Sequence, residues 1–62
     1  MKFPPGSIVR HTRGGRYEII GLGMMERDLE VVYVYRDALT GALWVRSPEQ
    51  MEDGRFELEA KR

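Results

Sequence analysis

Glycine and proline divide this chain into short segments, and their spacing is the strongest constraint on its fold. The seven Gly and three Pro residues fall mainly at Pro4-Pro5-Gly6, Gly14-Gly15, Gly21 to Gly23, Gly41, Pro48 and Gly54. The segments between them are rich in Val, Ile, Tyr, Trp and Phe, the residue types that favour β-strands. We therefore predict an all-β fold of short strands joined by tight turns.

The segments predict five strands and one helical turn. The strands are Ser7 to His11, Arg16 to about Gly23, Glu30 to Asp37, Leu43 to Ser47 and Arg55 to Ala60. The glycines near the end of the second strand predict a bulge or bend there. Ser47 suits the N-cap of a single helical turn and Pro48 its first position, with Gln50 three residues after the cap.

This element order is typical of a small five-stranded SH3-like barrel, with the helical turn before the last strand. Closure of the sheet would remove its unpaired edges. We predict one such domain over residues 1–62. An OB-type barrel is the alternative, although it usually needs more residues and a longer helix between its third and fourth strands.

Composition narrows the classes of function. The chain has 62 residues and no Cys, so a disulfide scaffold, a thiolate zinc site and a Cys nucleophile are all excluded. No leader segment or apolar run long enough to span a membrane is visible. We expect an unprocessed cytoplasmic protein that binds no membrane and no cofactor.

Catalytic and metal-binding residues are not evident. His11 is the only histidine, and one His without Cys does not make a zinc site. The acidic residues Glu26, Asp28 and Glu30 lack the spacing of a calcium loop. So small a core leaves little room for a deep pocket. We predict a non-enzymatic protein, in which a catalytic site would have to form between subunits.

The most informative side chains lie on the third and fourth strands. Alternation puts Val32 and Val34 on one face of the third strand, and the hairpin brings the other face beside the fourth strand. That other face carries Tyr33, Tyr35, Trp44 and Arg46. If the aliphatic residues fill the barrel, these four form an outer patch suited to a protein partner, a second copy or a stacked ligand. Alternatively, Phe3 or Phe56 covers the rings and makes a second small core.

Charge is distributed unevenly along the chain. Ten basic residues balance ten acidic ones, yet the first 17 residues hold four basic side chains and no acid. The stretch containing Arg10, His11, Arg13 and Arg16 is therefore a candidate phosphate-binding turn. The pI of about 6.6 is low for a nucleic-acid-binding module, which favours a solvated turn instead.

Three sequence blocks resemble a known family. They are R-H-x-x-G-x-x-Y-E at Arg10 to Glu18, V-V-Y at Val31 to Tyr33, and L-W-V-R at Leu43 to Arg46. In this order they are similar to the short bacterial proteins called domain of unknown function 1653, over roughly Ile8 to Met51. The resemblance implies an SH3-like barrel and supplies no activity, cofactor or catalytic residue. The chain departs from the family at Met24 to Asp28, where relatives typically carry a His-Ser-Glu-Thr type segment.

The positions that fit this pattern are the best candidates for a site. They are Arg10, His11, Tyr17, Tyr33, Trp44 and Arg46. From all these observations we predict a binding or self-assembly module that uses its aromatic and Arg patch, most simply as a dimer. The alternative is a module that binds RNA or single-stranded nucleic acid through the basic first strand and turn.

Overall fold

The computed structural model describes residues 1–60 and is all-β. Its strands are β1 (Ile8–His11), β2 (Arg16–Met24), β3 (Val31–Asp37), β4 (Leu43–Arg46) and β5 (Phe56–Ala60), and α1 (Pro48–Met51) precedes β5. The strands form one sheet in the order β4-β3-β2-β1-β5, and every neighbouring pair is antiparallel. The predicted five strands and helical turn are confirmed.

The sheet is not closed, which differs from the expected barrel. Strands β4 and β5 lie at its two edges, and no backbone ladder joins them within residues 1–60. β4 has only four residues and the chain then turns into α1. A side chain spans the opening instead, because the Arg46 guanidinium carbon lies 5.7 Å from the centre of the Phe56 ring.

The predicted irregularity in β2 is confirmed as a bulge. The register with β3 shifts between Ile19, which faces Tyr35, and Gly21, which faces Val34. The extra residue, Ile20, is left without a partner in the ladder, and such a bulge increases the local twist of the strand. β2 can therefore pair with both β1 and β3 while the sheet curves around one core.

The helical turn has the predicted cap. Ser47 has extended backbone angles, and its Oγ accepts a hydrogen bond from the Gln50 N–H at 3.3 Å. Pro48 occupies the first turn, where its missing N–H removes no helical hydrogen bond. Within residues 1–60, no helix has the length and apolar character needed to cross a membrane.

The core lies on the face of the sheet that carries the tyrosines, which we call the inner face. Its buried side chains are Phe3, Val9, Ile19, Tyr33, Tyr35, Met51 and Phe56. The arrangement in which the aliphatic residues of β3 and β4 fill the interior is not observed: Val32 is buried, but Val45 is 51% exposed and Leu43 is 64% exposed. The alternative, in which Phe3 and Phe56 cover the rings, is confirmed.

Side-chain size explains this choice of face. Each buried aromatic ring removes much more surface from water than a valine does. Both faces of β3 are apolar, so alternation alone does not decide between them. The tyrosines also find partners for their hydroxyl groups inside, as Tyr33 Oη accepts the Phe3 N–H at 3.1 Å. The inner face thereby buries four rings, those of Tyr33 and Tyr35 from β3 and those of Phe3 and Phe56 from the two end segments of the chain.

We predict that Phe3→Ala lowers the free energy of unfolding by about 3 kcal/mol, because it empties a fully buried site. A domain of this size has a total stability of roughly 3 to 9 kcal/mol, so the loss is a large part of it. Urea denaturation followed by circular dichroism measures the change. The control is Leu39→Ala in the exposed β3–β4 turn, at 92% exposure, which should shift stability by less than about 0.5 kcal/mol. Equal effects of the two substitutions would contradict the packing described.

Candidate functional site

Tyr33 links three parts of the chain and is therefore a structural residue. Its side chain is fully buried. The hydroxyl accepts the Phe3 N–H and donates to Glu52 Oε2 at 2.5 Å, just after α1. Burial, reinforced by the Glu52 carboxylate, raises the pKa of Tyr33. The same hydrogen bond, with one from the Lys2 N–H, lowers the pKa of Glu52.

The other candidate aromatic residues also pack inward. Tyr35 is 4% exposed, and its ring meets those of Tyr17 and Phe56 edge to face at 5.4 and 5.8 Å. His11 stands edge-on to Phe56 at 4.9 Å. Tyr33 and Tyr35 are thus excluded from an outer patch, and half-buried Tyr17 supports the same ring cluster.

Of the predicted aromatic patch, only Trp44 and Arg46 remain at the surface. Trp44 faces Tyr35 in the register and so lies on the inner face, yet it is 54% exposed because β4 is the edge strand beyond the packed core. Within residues 1–60, its indole has no aromatic neighbour in ring contact. Leu43 and Val45 are also exposed, on the opposite face. The β4 edge is therefore an apolar surface.

The basic stretch is divided between two surfaces. Arg10 and Arg16 face each other across β1 and β2, away from the core. Arg16 forms an ion pair with Glu59 at 2.5 Å, and Arg10 lies opposite Glu57. Acidic side chains therefore stand beside both residues. The structure does not support one continuous basic surface along the first strand and turn.

Arg13 belongs instead to a cleft beside the opening between the sheet edges. This open cleft, which we call the basic cleft, has a volume of about 460 Å³ and is lined by His11, Thr12, Arg13, Arg46 and Arg55. Arg46 is fixed in it by a hydrogen bond from its Nε to Tyr35 Oη at 3.3 Å. The cleft brings together residues from the β1–β2 turn, the end of β4 and the start of β5.

Two residues near this cleft were not singled out by sequence analysis. Asp53 accepts hydrogen bonds from Arg55 at 2.8 to 3.1 Å. This bonding lowers the pKa of Asp53, with a smaller contribution from the positive charge of Arg46. The sequence signal for this pair was Asp53-Gly54-Arg55 in a predicted turn. A turn at the glycine brings the Arg55 side chain back toward the Asp53 carboxylate. Within residues 1–60, no three His, Cys, Asp or Glu side chains are grouped as metal ligands.

Comparisons of the chain with protein-family models, with curated proteins and with solved structures found no match. The resemblance to domain of unknown function 1653 therefore stays a prediction. The surfaces available for a function are the β4 edge and the basic cleft.

We predict that Glu52→Gln destabilises the protein at neutral pH and has little effect in acid. The pKa of Glu52 is lowered by folding, so its ionised form contributes stability above the unfolded-state pKa. That contribution is lost as the pH falls through the folded-state pKa. Urea titrations between pH 2.5 and 7 measure the free energy of unfolding of Glu52→Gln and of the native protein. The two values should become equal at the acid end of this range.

The matched control is Glu26→Gln, at an exposed position in the β2–β3 connection. Its unfolding curves should follow those of the native chain at every pH. A difference in the free energy of unfolding between Glu52→Gln and the native protein that stays constant with pH would contradict the prediction. It would show that the contact with Tyr33 does not depend on the charge of the Glu52 carboxylate.

Proposed function

We propose that this protein is a non-enzymatic assembly module in which the free edge of β4 pairs with β4 of a second copy. The observation that carries this proposal is the exposure of Leu43, Trp44 and Val45 on an edge strand, at 64%, 54% and 51%. Edge strands with exposed apolar side chains are templates for pairing with another chain. A small domain also gains from association, because its own core buries little surface.

The pairing pattern identifies which backbone groups of β4 are free. The Asp37 N–H donates to the Ala42 carbonyl at 2.9 Å, and hydrogen-bonded pairs recur at every second position of an antiparallel ladder. Trp44 and Arg46 therefore direct their backbone groups toward β3. Leu43 and Val45 direct theirs outward, away from the sheet. The exposed edge thus offers two N–H and two C=O groups from these residues.

These free groups favour one register with a second copy. An antiparallel arrangement centred on Trp44 sets Leu43 of each copy opposite Val45 of the other, which forms about four backbone hydrogen bonds. The two Trp44 side chains then face each other in a non-hydrogen-bonded pair, where side chains are closest. Both copies keep their cores on the same side of one continuous sheet.

Charge favours self-pairing at β4 over the other edge. The whole chain has a net charge of zero, so two copies do not repel each other strongly. Arg46 is the only charged residue of β4, whereas β5 alternates Phe56 and Leu58 with Glu57 and Glu59. Charged side chains on an edge strand oppose pairing with a second chain. A second copy therefore fits β4 better than β5.

We predict a reversible dimer whose dissociation constant rises at least about tenfold in Val45→Pro and Val45→Lys. The proline removes an outward N–H that makes no bond within the monomer, and the lysine places like charges on the facing strands. Sedimentation equilibrium measures the association. Emission from Trp44, the only tryptophan, should shift to shorter wavelength as concentration increases.

The control is Leu58→Lys, which adds the same charge at a similarly exposed position on the opposite edge. It should leave the dissociation constant within about twofold of the native value. A native protein that stays monomeric at millimolar concentration contradicts the proposal, as does equal weakening by Leu58→Lys and Val45→Lys. Circular dichroism of each variant establishes that the monomer remains folded.

A further inference from the structure

The basic cleft carries more positive charge than the neighbouring carboxylate of Asp53 balances. Arg55 is already paired with Asp53 through three hydrogen-bond contacts. Within residues 1–60, neither Arg13 nor Arg46 forms an ion pair with a carboxylate. Two guanidinium charges therefore line the cleft in addition to the neutralised Asp53–Arg55 pair.

The cleft is also partly preorganised. The Arg46 guanidinium is held between the Tyr35 hydroxyl, at 3.3 Å from its Nε, and the Phe56 ring. This leaves its two terminal nitrogens as donors. A guanidinium already fixed by neighbours loses less conformational entropy when it binds an anion. The aromatic cluster therefore positions Arg46 as well as filling the core.

His11 supplies a third donor of defined orientation. Its Nδ1 accepts a hydrogen bond from the Arg13 N–H at 3.0 Å. Because Nδ1 is an acceptor, the ring proton of neutral His11 is on Nε2. The ring is kept in place by its edge-on contact with Phe56. The Thr12 hydroxyl lines the same cleft and adds a rotatable donor.

We propose that the basic cleft binds a phosphate monoester group through Arg13, Arg46 and His11. A monoester carries close to two negative charges at neutral pH and three terminal oxygens, which match two unpaired guanidinium groups and additional donors. A carboxylate offers only one charge and two oxygens. The volume of about 460 Å³ also leaves room for the rest of an esterified molecule.

A neighbouring depression is less suited to an anion. It has a volume of about 650 Å³ and also borders Arg46 and Arg55, but Asp28 and Glu30 lie beside Arg27 in its lining. These carboxylates would repel a phosphate. The mixture of charges therefore places the anion site on the side of Arg46 that faces His11 and Arg13.

The test is an NMR titration of the native protein with inorganic phosphate at a constant ionic strength of about 0.15 M, where the Debye length is about 8 Å, with chloride as the reference salt. We expect saturable shifts of amides at His11, Arg13, Arg46 and Arg55. Arg13→Gln and Arg46→Gln should each weaken binding about tenfold, the usual effect of losing a hydrogen bond to a charged group. Arg46→Lys should weaken it as well, because lysine keeps the charge but lacks the fork.

The matched control is Arg16→Gln, which removes the same charge from a residue outside the cleft that is paired with Glu59. It should change affinity by less than about twofold, since exposed charges at a distance are largely screened. No saturable shift at tens of millimolar phosphate overturns the proposal. Equal weakening by Arg16→Gln and Arg13→Gln also overturns it, because that result indicates diffuse attraction without a site.

The source of the monoester is resolved by further titrations. A nucleoside 5′-monophosphate and a short 5′-phosphorylated oligonucleotide present the same group. Tighter binding of the oligonucleotide, lost when its 5′-phosphate is removed, supports the site and assigns it to nucleic-acid ends. Equal affinity for the two compounds supports the site and assigns it to free monoesters. Equal binding of phosphorylated and unphosphorylated oligonucleotides contradicts a monoester site.

Discussion

One sheet of five strands has two faces and two edges, and a chain of 62 residues can cover little more than one of those faces. Here the inner face is covered by Phe3 from one end of the chain and by Met51 of α1. The Tyr33 hydroxyl connects these parts, because it accepts a hydrogen bond from the Phe3 N–H and donates one to the Glu52 carboxylate. Apart from buried Val32, most of the outer face and the β4 edge are left to solvent or to a partner.

This division gives each aromatic residue of the β3–β4 hairpin a different role. Tyr33 and Tyr35 stabilise the interior, and only Trp44 remains available for contact. Tyr35 also acts indirectly, because its hydroxyl accepts the Arg46 Nε–H and its ring adjoins Phe56. The same core therefore positions an arginine at the opening between β4 and β5. Assembly at the β4 edge and anion binding in the basic cleft are separate proposals that share this frame.

Local sequence rules predicted the elements well. Ser47, Pro48 and Gln50 specified the helical turn, and the glycines of β2 indicated its bulge, because caps and bulges depend on neighbours in the chain. The choice of face for Tyr33 and Tyr35 was not predictable, since Val32 and Val34 are equally apolar by pattern. The lack of closure and the meeting of Arg13 with Arg46 depend on tertiary geometry. The alternation of residues along each strand predicts neither the open sheet nor the shared cleft.

In the proposed assembly, the outward backbone groups of β4 are free in the monomer and paired between the two copies. Amide hydrogen exchange measured residue by residue, at micromolar and at millimolar concentration, tests it most directly. Trp44 and Arg46, whose N–H groups point toward β3, should be protected at both concentrations. Leu43 and Val45 should exchange freely in dilute solution and become protected at high concentration. Protection of Leu43 and Val45 in dilute monomer, or its absence at both concentrations, would contradict pairing through the β4 edge.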